Sequence, residues 1–300
     1  MKKRDTSTSI RLILPFSCVA KAQWISTVTK FLLALVLTAS SAFAFTFTTI
    51  DVPGATYTFS ARINAAGEIV GGYGDSTGTG HGFLLEDGIF TTIDFPGAVS
   101  TDAWGINPRG QIVGIYTDLA GTLHGYLLDK GSFTPIDVPG AIATEAFDIN
   151  PRGQIVGRYT DTSAVVHGFV LDKGTFTTID PPGSGFSQAI GINAAGRIVG
   201  GFEPPGHHGF LLDKGTFITI HFPGAVATDA LGIDPAGRVV GRYVDASSVF
   251  HGFLSEKGSF TTIDPPGSIF TEAIGVNAAG EIVGDYQDAN GTLHGFLAIP

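Results

Sequence analysis

The chain has 300 residues, 15% of them charged, with a formal net charge of −10, 42 glycines and one cysteine. So acidic a body is a poor partner for nucleic acid, whose phosphates demand Lys and Arg. The lone Cys18 rules out an internal disulfide framework.

The first 44 residues differ from the rest. "MKKR" is basic, and "FLLALVLTASSAFA" (Phe31 to Ala44) is an apolar run ending in small residues. Such a run is too short to span a bilayer but suits a signal-peptide core with an Ala-Phe-Ala cleavage site. The basic region ahead of it is long, which an extended signal or a start codon placed too far upstream explains equally well. "PFSC" (Pro15 to Cys18) lacks the aliphatic residue of a lipoprotein signal. Cleavage after residue 44 leaves 11 basic residues against 26 acidic ones and no cysteine. The expectation is an exported protein, secreted, periplasmic or on the cell surface, with no transmembrane anchor in its mature chain and no reliance on disulfides.

From residue 45 onward the chain repeats. His-Gly pairs begin at His81, His124, His167, His208, His251 and His294, spaced 43, 43, 41, 43 and 43 residues apart. All the glycines lie in this part, and they imply one tight turn after another. In the third unit, "TEAFDIN" reads as a strand that stops at the turn "NPRG". "QIVGRYTD" is a second strand, "VVHGFVLD" a third closed by "DKG", and "TFTTID" a fourth ended by Pro181-Pro182-Gly183. Four short antiparallel strands in about 43 residues match one blade of a β-propeller. Blades packed face to face bury the apolar faces that a lone meander exposes.

The ends decide between an open stack and a closed ring. The repeat region begins with a fourth strand, "FTFTTID" from Phe45, and finishes on "HGFLAIP", one strand short. An N-terminal strand that completes the last blade leaves no open edge. The predicted architecture is therefore all-β, a six-bladed propeller over residues 45–300, acting as a monomer.

The recurring "GINPRGQIVG", "GINAAGRIVG" and "VNAAGEIVG", each followed by "HGF" or "HGY", resemble the HAF-type extracellular repeat. Here glycine stands in place of the family's alanine in every copy. The resemblance covers residues 46–300 and implies secreted or surface bacterial proteins of propeller-like architecture, with no agreed biochemical activity.

Candidate sites fall into four groups. Each HG histidine except His208 has an aspartate six residues before it (Asp75, Asp118, Asp161, Asp245, Asp288), which suggests a structural His–Asp hydrogen bond in each blade. The aspartates of "IDxPG" (Asp51, Asp94, Asp137, Asp180, Asp264), replaced once by His221, suit turn capping. The fourth unit carries "EPPGHH", which puts Glu203, His207 and His208 on one short loop as potential metal ligands.

The fourth group starts the innermost strand: Ser60, Asp102, Glu145, Gln188, Asp229 and Glu272. In a six-fold ring these face each other as Ser60/Gln188, Asp102/Asp229 and Glu145/Glu272, a pattern that duplication of a three-blade half also produces. Asp102, Glu145, Asp229 and Glu272 would rim one mouth of the channel as like charges. Three readings stand: a solvated acidic rim, a site for Ca²⁺ or a cationic ligand, or acid/base catalysis on a sugar or ester. No nucleophile elbow, HExxH or phosphate-cradling loop occurs. The expected function is a binding module for a glycan or a cell-surface protein, with a hydrolase or lyase as the alternative.

Overall fold

The computed structural model describes residues 45–203 and 206–300. The expected signal peptide, residues 1–44, lies outside the described residues. Among these, the chain forms twenty-four strands and no helix, arranged in six four-stranded antiparallel sheets. Five blades are consecutive meanders, at 57–93, 100–136, 143–179, 186–220 and 227–263. The sixth is composite. Phe270–Val276, Ile282–Gln287 and Leu293–Ile299 provide three strands, and Thr46–Ile50 adds the fourth. Thr46 pairs with Ile299 and Ile50 with Gly295. The protein is a six-bladed β-propeller whose first strand closes its last blade.

The repeat motifs explain the packing. Each HGF or HGY aromatic is fully buried, among them Phe83, Tyr126, Phe169 and Phe253, beside the equally buried valine of each "IVG" or "VVG". The glycine of that triplet sits across the strand pair from the aromatic, as Gly157 does from Phe169. A Cβ on Gly157 would come within 1.9 Å of the Glu145 carbonyl oxygen and 2.7 Å of the Phe169 ring. Glycine there lets the ring lie against bare backbone, and the aromatics then fill the space between neighbouring sheets.

The conserved spacing of "IN" has an inter-blade purpose. Asn64 accepts hydrogen bonds at Oδ1 from Ala66 and Glu68, which closes its own turn. Its Nδ2 donates to the Asn107 carbonyl of the next blade. Asn107, Asn150, Asn193 and Asn277 repeat this donation around the ring. Asp234 takes the place of asparagine in the fifth blade and has no amide to donate. There Arg238 binds Asp234 at 2.6 Å and reaches on to the Asn277 and Ala278 carbonyls.

A stopper closes the axis. Every first strand carries a bulge at its middle. Just before the bulged pair's second residue stand Ala61, Trp104, Phe147, Ile190, Leu231 and Ile274. The following residue is glycine in four blades, but Arg62 in the first and Asp148 in the third. The buried Arg62 guanidinium donates to the carbonyls of Ile274, Ile190 and Leu231 at 2.6–2.8 Å. Its Nε lies 3.2 Å from Asp148 Oδ2. One arginine thus ties the first blade to the third, fourth, fifth and sixth.

Candidate functional site

Strand register fixes which side chains share the mouth above this stopper. Asp102 pairs with Ile115, Glu145 with Arg158, Gln188 with Gly201, Asp229 with Arg242, and Glu272 with Asp285. In the first blade the equivalent pair is Phe59 with Gly72, while Ser60 pairs with Gly71. Ser60 therefore occupies the position of Ala103 and is fully buried. The expected ring was one residue out in that blade, and the Phe59/Gln188 pair replaces Ser60/Gln188. Counting four residues back from Ile63, as from Ile106 to Asp102, marks Phe59.

Three of the four carboxylates, Glu145, Asp229 and Glu272, are paired with cations, and Asp102 is not. Arg158 binds Glu145 with two parallel hydrogen bonds, at 2.7 and 2.9 Å, and gives a third to Gln188 at 3.2 Å. Arg242 repeats the arrangement two blades on, binding Asp229 through Nε at 2.9 Å and Glu272 through Nη1. The arginines thus join neighbouring blades, the third to the fourth and the fifth to the sixth. Both arginines come from second strands, thirteen residues after their acids, and the sequence reading missed them.

The short loop of the fourth blade adds a third cation. His207 donates from Nδ1 to Glu203 at 2.8 Å and from Nε2 to Asp229 at 2.5 Å. Its carbonyl accepts from Thr228, which anchors the loop to the fifth blade. His208 turns away and meets His221, Nδ1 to Nδ1, at 3.1 Å. The expected grouping of Glu203, His207 and His208 is therefore split. Among the described residues no three His, Cys, Asp or Glu side chains are grouped to hold a metal ion. At the mouth, guanidinium and imidazole groups meet the carboxylates of Glu145, Asp229 and Glu272.

These contacts sort the acids. The Asp229 hydrogen bond and charge hold the His207 imidazolium, against partial burial, and raise its pKa to about 9. Burial works to raise Asp229, but His207 and Arg242 outweigh it and hold the carboxyl below its ordinary value. Burial pushes Asp102 up to about 6. Its carboxylate leans over the first blade, and only the bare Gly72 leaves room for it. Glu272 is raised by burial, against the pull of Arg242. Asp285 is buried beside it and makes no hydrogen bond through Oδ1. Burial, then the Glu272 charge, pushes Asp285 well up and favours its neutral acid.

Below these groups the mouth is apolar. A cavity of about 190 Å³ is walled by Glu145, Arg158, Gln188, Arg242 and Glu272 and floored by Trp104, Phe147, Ile190, Leu231 and Ile274. The Trp104 indole N–H is buried and makes no hydrogen bond. Arg158 lies over the Phe147 ring at 5.6 Å. Arg62 separates this cavity from a smaller one, about 110 Å³, at the asparagine end.

The HG histidines other than His208 form an outer belt in which a second carboxylate joins the expected one. His124 Nδ1 bonds Asp137, of the "IDxPG" turn, at 2.7 Å. Asp118, six residues before it, stands 3.5 Å from Nε2. His81, His167, His251 and His294 repeat this with Asp94, Asp180, Asp264 and Asp51. The "IDxPG" aspartates are thus histidine acceptors, and a threonine hydroxyl takes the turn N–H instead, as Thr144 does for Val138. The aspartates six before close the hairpins: Asp118 accepts from Ala120 and Thr122. Each of these five rings also stacks on a second-strand tyrosine, His124 on Tyr116 at 5.0 Å.

Fold and site together define a six-bladed β-propeller with a blind cavity at one mouth, polar at the wall and aromatic at the floor. No protein-family model and no curated protein matches the sequence. Among solved structures the chain is similar to the SapL1 lectin in complex with α-methyl fucoside, with a TM-score of 0.54 and 10% identity. That match covers 81% of this chain and 93% of the lectin. A lectin from Aleuria aurantia, in complex with Fucα1-6GlcNAc, gives 0.50 at 14% identity over 81% of this chain and 91% of its own. TolB from Acinetobacter baumannii gives 0.52 at 10% identity, over 80% of this chain and 63% of that one. At such identities the likeness shows the fold.

Proposed function

We propose that the chain is an exported glycan-binding propeller that takes a saccharide at the Arg158/Arg242 mouth. The observation that carries this reading is the pair of arginine–carboxylate clamps held over the Trp104 and Phe147 floor. Such clamps present donors and acceptors in fixed planes, which suits neighbouring sugar hydroxyls and costs little ordering on binding. The buried Trp104 N–H offers a further donor to a ligand hydroxyl. At about 190 Å³ the cavity is smaller than the roughly 300–1,000 Å³ of drug-sized sites. One sugar unit fits this size, with any further units lying across the rim. The saccharide complexes of the two lectins above, and the resemblance to extracellular repeats, support glycan binding and export respectively.

The test is a glycan array probed with wild type, Arg158→Lys and Trp104→Phe. Saccharide binding that falls at least tenfold in both variants is expected, since Lys cannot make the bidentate clamp and Phe lacks the donor. An empty array, or binding indifferent to both changes, overturns the reading. A hydrolase or lyase is the second reading, favoured by Asp102, whose carboxyl titrates at about 6 and so suits proton transfer near neutral pH. Against it, Glu145 and Asp229 are both engaged in ion pairs. Cleavage of a bound saccharide, and its loss in Asp102→Asn, would decide for the enzyme.

A further inference from the structure

Basic residues are segregated to one end of the ring. Of the eleven after residue 44, Arg62, Arg158 and Arg242 lie in the channel. The other eight stand on the opposite end from the saccharide mouth, on the turns joining strands one to two and three to four. Lys130, Lys173, Lys214 and Lys257 each occupy the two-residue turn of a third-to-fourth hairpin, all at φ of 50–51°. All four are exposed, and the Lys257 side chain is 89% exposed. Arg109, Arg152, Arg197 and Arg238 stand on the inner turns of the same four blades, the second to the fifth.

The remaining third of that face has the opposite sign. The inner turns of the first and sixth blades carry Glu68 and Glu281, and the first blade's outer turn carries Glu86 and Asp87. Over the other four blades, eight cations meet five carboxylates (Asp129, Asp172, Asp213, Asp234, Glu256), a surplus of three. The domain as a whole is strongly acidic, so this crescent runs against its net charge. Distance makes the difference. The carboxylates of the far end are a strand length away, about 20 Å, which is about two Debye lengths at 0.1 M salt.

We infer that this crescent docks the propeller onto the anionic headgroups of a phospholipid bilayer, with the saccharide mouth facing away. Turn tips at one end of a propeller lie side by side, so lysines extended from four of them meet a flat surface together. Four tips on consecutive blades act as one patch, and the acidic third of the face tilts the ring so that the second to fifth blades lie nearest the bilayer. Each surplus cation near such a surface strengthens binding about fivefold, so three give roughly a hundredfold preference for anionic over neutral lipid.

The experiment is co-sedimentation of the full chain with vesicles of phosphatidylcholine alone or mixed equally with phosphatidylglycerol. Two variants accompany it. One replaces all four lysines by asparagine, which tolerates their positive φ. The other, Glu86→Gln with Asp87→Asn, lightens the acidic third. Residues 1–44 are common to all forms, so the comparison is between variants. Expected are phosphatidylglycerol-dependent binding by wild type, its loss at about 0.5 M salt, at least tenfold weakening in the lysine variant, and strengthening in the acid variant. Equal binding to both vesicles, no binding to either, or retention by a soluble polyanion alone overturns the inference. So does an acid variant no better than wild type, which decides the matter even if the lysine variant fails to fold. Saccharide binding resides at the other end, so its failure leaves this test intact.

Discussion

Arg62 Nε stands 3.2 Å from Asp148 Oδ2, joining the first blade to the third at the buried centre of the ring. Four other blades have glycine at that level, so the pair fills an axis that bare backbone would leave open. Asp148 also accepts from the Ile149 and Ile192 N–H groups. Removing the arginine strands a buried carboxylate. Arg62→Leu should cost about 3–5 kcal/mol, and Arg62→Leu with Asp148→Asn should cost less than the single change. Urea unfolding of both variants checks the order.

Closure predicts an unusual sensitivity at the start of the repeat region. Deleting Phe45 to Asp51 removes the fourth strand of the last blade and leaves the strand Leu293–Ile299 as an open edge. It also takes away Asp51, the acceptor for His294. A lowered melting temperature and a tendency to associate through the exposed edge are expected, by calorimetry and light scattering.

Asp102 ties stability to pH. Its folded pKa of about 6 lies above the ordinary carboxylate value, so the folded state binds the extra proton between about pH 4 and 6. Its contribution is therefore favourable at low pH and lost as pH rises through about 6. Asp102→Asn should stabilise the protein at pH 7, by no more than about 3 kcal/mol, with the gain vanishing near pH 4. Denaturant titrations at the two pH values give the comparison.

His207 has the opposite sense to an ordinary histidine at neutral pH: it stays charged. Its folded pKa is raised to about 9, chiefly by Asp229. The stability from charging it is complete below the unfolded value, about 6.5, and is lost as pH rises through about 9. An NMR titration should find one imidazole with a midpoint near 9, moved well down in Asp229→Asn. A midpoint near 6.5 in the wild type would contradict the contact.

His124, in the outer belt, works in the same direction at the surface. Burial disfavours the charged ring of His124, but Asp137 and then Asp118 outweigh it and raise the pKa. His124→Ala should cost about 1 kcal/mol, more below pH 6.5 than above the raised pKa, and should leave metal content unchanged. Thermal melts across that range, with elemental analysis, measure both.

Blade count and closure were legible in the sequence alone. Turns such as "DKG" and "NPRG" are local, and the histidine spacing repeats them at a constant interval. The split repeat at the two ends then leaves one way to hide every edge, which the Thr46–Ile299 pairing realises. The four mouth acids were legible too, because periodicity places equivalent residues at equivalent depth. Their partners were not. Arg158 meets Glu145 across a strand pair and Gln188 across a blade boundary, at separations of 13 and 30 residues that no local pattern announces. The Asp137 acceptor of His124 lies one hairpin beyond the nearer Asp118. Phe59, rather than Ser60, holds the equivalent place in the first blade, and the sequence carried that signal in the four-residue step back from Ile63 that also leads from Ile106 to Asp102. Periodicity tells how far along the axis a side chain stands. Which charge it meets is decided by strand register and blade contact, and these exist only once the ring has closed.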